Sequence, residues 1–145
     1  MNKLKYGILI FLSLLLIGCG SLSSKDLEEI RNTLKKENYI KDTDEEIRAA
    51  IDFGDAKIIP IVDYNSLYKR KDGSYYVVKI QKRFQSETKQ YSVIIYELKE
   101  FEIIEYEDRD YPTYRISSCS IDTELIIEKR ENFLGWTKYK IVDIY

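Results

Sequence analysis

The apolar pattern of this 145-residue chain changes period twice. From Tyr6 to Ile17 it is apolar almost without a break, after Lys3 and Lys5. A helical period follows: Leu27, Ile30 and Leu34 form one stripe, which predicts a helix over 25–37. Ser24 is its expected N-cap, acidic residues fill the first turn, and Lys35 and Lys36 close the last, matching the helix dipole. Thr43 and Glu46 have capping-box spacing, and Ile47, Ala50 and Ile51 share a helical face ahead of Gly54. A second helix is expected there.

Beyond Lys57 the period falls to two. Residues 58–62 form a short apolar run in which Pro60 restricts the segment to an edge or a strand start. Residues 63–68 are expected as a turn or one loose helical turn, and 69–74 as a second turn with Asp72-Gly73 at its tip. Strand 75–84 alternates, with Tyr76, Val78, Ile80 and Phe84 on one side. Residues 86–89 turn the chain into a long strand, 91–106, or two strands broken near Lys99-Glu100, with a phase slip at Ile103-Ile104. After a loop at 108–112, strands are expected at 113–121 and 123–129, then a hairpin connection at 130–135. The last strand, 136–145, is apolar on both faces, which predicts a central position or a cover on each face, with Trp136 either a core anchor or part of a surface binding patch.

The first stretch is an address. A basic start, a run of about twelve apolar residues and a small residue before the cleavage point make a secretory signal peptide, too short to span a bilayer. Leu16-Ile17-Gly18-Cys19 resembles the lipobox of bacterial lipoprotein precursors. That resemblance implies recognition of Leu16, Ile17 and Gly18 by the signal peptidase, cleavage after Gly18, and acylation of Cys19. The expected organisation is residues 1–18 as signal peptide, 19–24 as lipidated cysteine and tether, and 25–145 as a single α+β domain. The five tether residues after Cys19 reach at most about 17 Å, which keeps the domain near its membrane.

The expected fold class is α+β: two N-terminal amphipathic helices packed on a curved antiparallel sheet of five or six strands. That order, with a closing strand carrying Trp136, Lys140, Ile141, Val142, Asp143 and Ile144, resembles the nuclear transport factor 2-like (cystatin-like) small lipoproteins. The resemblance implies a pocket between the sheet and its helices. It departs from the family pattern where a third helix belongs, since only residues 65–69 are available for one.

Charge and composition remove several functions. Without its signal peptide the chain has 21 basic and 25 acidic side chains, finely mixed, which gives nucleic acid no footprint. There is no histidine, hence no ordinary Ser-His or Cys-His nucleophile and no histidine metal ligand. Beyond the tether, Gly54, Gly73 and Gly135 are too scattered to cradle a phosphate. Glu105, Glu107, Asp108 and Asp110 are read as a solvated loop, not a metal site, because Arg109 interrupts them and a calcium loop's spacing is missing. Lys69, Arg70 and Lys71 are read as a charged turn that lies within reach of lipid headgroups. Cys119 is the one thiol left after lipidation and is expected as a buried small hydrophobe.

Tyrosine is the informative excess, with every one of the thirteen except Tyr6 in the body. Tyr75, Tyr76, Tyr91 and Tyr96 are the candidate binding face, with cross-strand packing as the plainer alternative. The expectation is a non-catalytic, lipid-anchored lipoprotein without cofactor or metal, at the cell membrane or outer membrane and facing the periplasm or exterior. Its partners are the membrane, through the Cys19 lipid, and an envelope protein or small ligand. The alternatives are an envelope-assembly part or, less favoured, a histidine-free accessory hydrolase.

Overall fold

The computed structural model describes residues 22–54, 63–83 and 89–145. The signal peptide, Cys19, the run 58–62 and Phe84 lie outside the described residues, as does most of the turn expected at 86–89. Among the described residues one helix, α1 (Ser24–Lys36), precedes seven strands: β1 (Glu45–Ile47), β2 (Ala50–Asp52), β3 (Asp63–Lys69), β4 (Tyr75–Arg83), β5 (Lys89–Ile104), β6 (Thr113–Glu131) and β7 (Thr137–Ile144). They form one curled half-barrel sheet in the order β1-β3-β4-β5-β6-β2, with β7 also paired to β6. All pairings are antiparallel except β2 with β6.

The first helix forms where its stripe predicts, one residue earlier and capped by Ser23. The second helix does not form, so the expected two-helix layer is replaced by a sheet-dominated fold with one helix. The competing signal is a period-two set, Ile47, Ala49, Ile51 and Phe53, which packs on the sheet face away from α1. Burying that set on an exposed apolar sheet stabilises two short strands more than a helical face would. Asp44, next to the expected Thr43 cap, is tied to the preceding loop and to the sheet. Its carboxylate accepts from the Lys41 N–H at 3.1 Å and from the Tyr76 hydroxyl at 2.5 Å.

The turn expected at 63–68 is strand β3. Its Asp, Asn and Ser are poor strand formers, but pairing from end to end with β4 and burial of Ser66, Leu67 and Tyr68 override propensity. The following turn is as expected, with Gly73 at φ 93° and the Arg70 N–H bonded to the Ser74 carbonyl at 2.8 Å.

Three irregularities steer the long β5–β6 pair. Asp122, Lys99 and Ser117 are each the extra residue at a register shift. Thr113 to Glu131 is therefore one continuous strand bulged at Asp122, not two strands around it. β5 is one strand whose irregularity falls at Lys99, where an alternative break was expected, and not at Ile103-Ile104; it keeps Phe101 on the same face as Tyr96 and Leu98.

Two apolar layers result. Toward α1, Ile30, Leu34 and Ile40 meet Tyr68, Tyr76, Val78, Ile80, Tyr91, Val93, Ile95, Leu125 and Ile127. On the reverse face Leu67, Val77, Tyr114 and Ile116 are covered by residues of β1, β2 and their flanks. Among the described residues, no helix is long and apolar enough to cross a membrane.

Candidate functional site: the cleft between helix α1 and edge strand β7

β7 is an edge strand, not the central strand its apolar pattern predicts. Among the described residues its one neighbour is β6. The register explains the misleading pattern. Ile127 pairs with Ile141, and Leu125 with Ile144, leaving Val142 as a bulged residue. Directly opposed residues point to the same side, so the bulge turns Ile144 toward the face that already holds Tyr139 and Ile141. The strand has one apolar face, directed at α1.

The connection between helix and strand is a carboxylate cluster. Ser23 Oγ accepts from the Asp26 N–H at 3.0 Å, which places Asp26 in the positive first turn of α1. Asp26 then accepts from three groups of the sheet. The Tyr139 hydroxyl and Lys129 Nζ (3.0 Å) reach Oδ1, and the Tyr91 hydroxyl reaches Oδ2 at 3.0 Å. Burial opposes ionisation of Asp26, yet the hydrogen bonds from Tyr139, Lys129, Ser23 and Tyr91 outweigh it and hold the carboxyl well below its usual range. Burial first, and then the bond to Asp26, push both Tyr91 and Tyr139 far above the ordinary phenol value. The carboxylate stays charged and the phenols stay neutral around pH 7, which suits a structural tie.

Beside this tie lies an open cleft of about 670 Å³. Glu29, Thr33 and Lys36 of α1 line one wall, and Thr137, Tyr139 and Ile141 of β7 the other. The helix and the strand thus flank a groove whose lining mixes apolar side chains, Tyr39, Tyr139, Ile141 and Ile144, with charged ones.

The four candidate tyrosines are divided between the two faces of the sheet. Tyr76 and Tyr91 are buried in the α1-side core. Tyr75 and Tyr96 are half-buried on the reverse face, where Tyr75 meets Phe101 (5.1 Å between ring centres) and Tyr114 (5.7 Å), and Tyr96 meets Phe53 (5.4 Å). Burial, helped by the Tyr75 side chain, pushes Tyr114 up to about 12. They belong to packing layers and do not share one exposed surface.

Other candidates are placed as follows. Arg70 is committed to Glu97 at 2.6 Å and lies 4.4 Å from the Tyr76 ring centre, while Lys69 lies over Tyr75 at 5.6 Å. The charged turn therefore keeps Lys71 as its outward cation. Glu105, Glu107, Asp108 and Asp110 are all exposed. Among the described residues, no three His, Cys, Asp or Glu side chains converge on a metal position. Cys119 is exposed on β6, not buried. Trp136 is also exposed, not a core anchor. Cys19 and Leu16 to Gly18 lie outside the described residues.

Sequence reasoning missed Asp26, Lys129 and Tyr139 as a unit. Asp26 carries a helix-dipole signature, and nothing local marks its pairing with a strand 113 positions away. No protein-family model matches the chain, and comparison with curated proteins and with solved structures finds no significant match.

Proposed function

We propose that this chain is an exported, lipid-anchored, non-catalytic module that binds an extended segment of an envelope protein along the free edge of β7. The observation that carries the reading is that, among the described residues, β7 is paired on one side only, by β6, beside the cleft that it lines with α1. Unpaired strand N–H and C=O groups accept an added strand, and alternate side chains of that strand would enter the groove. Tyr139 and Ile141 offer apolar surface on the β7 wall, while Lys36 and Lys138 offer charge.

The filled interior supports a protein segment over a small ligand. Tyr68, Tyr76 and Tyr91 occupy the space between sheet and helix that the resemblance to the nuclear transport factor 2-like lipoproteins assigns to a pocket. Lys138, Lys140 and the Val142 bulge discourage copies of β7 from pairing with each other, which leaves the edge for a partner of complementary charge. The anchor reading rests on Leu16-Ile17-Gly18-Cys19 and on the short tether.

The test is selection from a library of unstructured ten-residue peptides against the full lipoprotein in detergent, followed by amide hydrogen exchange. A peptide that slows exchange in β7 supports strand addition. No binder, or protection confined to another region, contradicts it. Cys19→Ser separately tests the anchor: normal processing of that variant would remove it.

A further inference from the structure

The hairpin joining β6 to β7 presents three large apolar side chains to solvent: Phe133 at 96% exposure, Leu134 at 67% and Trp136 at 73%. They are held in place by the turn. Asn132 Oδ1 accepts the N–H groups of both Leu134 and Trp136 at 3.0 Å. The Asn132 N–H reaches the Trp136 carbonyl at 3.0 Å, and Gly135 takes the φ of 80° that the turn requires. A stapled turn that keeps Phe, Leu and Trp in water gains nothing from them in the folded chain. Burying them elsewhere would remove their apolar area from water.

From these positions we infer that the hairpin tip inserts into the headgroup region of an anionic phospholipid leaflet, the one that holds the Cys19 lipid. Charge and amphipathic type favour a lipid surface. Lys138 and Lys140 are exposed just beyond the tip, while Lys129 and Arg130 before it are paired with Asp26 and Glu128, in a chain whose net charge is −2. Basic residues around an apolar apex suit an anionic surface, and tryptophan suits the boundary between headgroups and acyl chains.

Position favours the anchored leaflet. The tether enters α1 at Ser24, and Asp26 in the same turn of helix binds Lys129 and Tyr139. Lys129 and Tyr139 are paired across the hairpin, and the last pair before the tip, Glu131 with Thr137, is two residues further on. That is about 7 Å of strand. Tether and apolar tip leave the domain at one end. This common-end argument rests on the anchor reading, whereas insertion of the tip does not.

Trp136 is the chain's single tryptophan and serves as the probe. The native lipoprotein is reconstituted into vesicles of mixed neutral and anionic phospholipid with brominated acyl chains. The expected result is Trp136 emission shifted to shorter wavelength and strongly quenched. Phe133→Asp with Leu134→Asp should return it to water-like, unquenched emission, with the melting temperature unchanged and the chain still floating with the vesicles. Unquenched, water-like emission from the unsubstituted lipoprotein would overturn the inference, including the case of a tip reserved for a protein. The mass of the N-terminal peptide decides the anchor independently of this signal.

Discussion

The hydroxyl of Tyr139 donates to the carboxylate of Asp26, joining the last strand to the first turn of the helix across 113 positions of chain. Lys129 and Tyr91 complete the ring of donors. This contact sets the spacing of helix and edge strand, and therefore the width of the cleft between them.

Replacing that carboxylate should loosen the cleft. Asp26→Asn removes the charge that three sheet donors share, in a site where Asp26 and Lys129 side chains are each only 15% exposed. The expected loss is about 2–4 kcal/mol of stability. Urea unfolding measures it, and a loss below about 0.5 kcal/mol would show that the cluster is not a structural tie.

Acid should act through the same group. The folded state holds Asp26 below its unfolded value, so its contribution is complete above about pH 5 and declines as pH falls toward the folded value. The melting-temperature gap between the native chain and Asp26→Asn should be constant above about pH 5 and narrow below about pH 4. A gap that widens on acidification would reverse the assigned sign.

Trp136→Ala should leave stability within about 0.5 kcal/mol of the native chain, because the ring lies in solvent on the hairpin. Thermal unfolding decides this. A cost of about 3 kcal/mol or more would place the ring in a core.

Cys119 should react with a maleimide in the folded protein as completely as in urea, since it is exposed on β6. Labelling that requires denaturant would mean the thiol is covered.

Much of the fold was legible where one period stood alone. α1 follows its Leu27, Ile30, Leu34 stripe, and β4 follows Tyr76, Val78 and Ile80. Where two periods overlap, local reading chose wrongly. Ile47, Ala50 and Ile51 suggest a helix, whereas Ile47, Ala49, Ile51 and Phe53 serve a sheet face that is visible only in the assembled fold.

Bulges were the second obstacle. One extra residue at Val142 makes a one-faced edge strand look two-faced, and one at Lys99 moves the phase of β5. The tyrosines gave the right residue type for strands but not their division between two packed faces. The cleft was illegible for the same reason as the Asp26 cluster: its walls are far apart in sequence.

The central claim, a partner strand on the β7 edge, is tested most directly inside the cell. A photo-crosslinking residue is placed at Lys140 in the native lipoprotein, and at Lys71 on the β3–β4 turn as a control. We predict one discrete envelope-protein adduct at position 140, with an extended segment of that partner carrying the crosslink, and none at position 71. No adduct at 140, or the same adducts at both positions, would contradict the account.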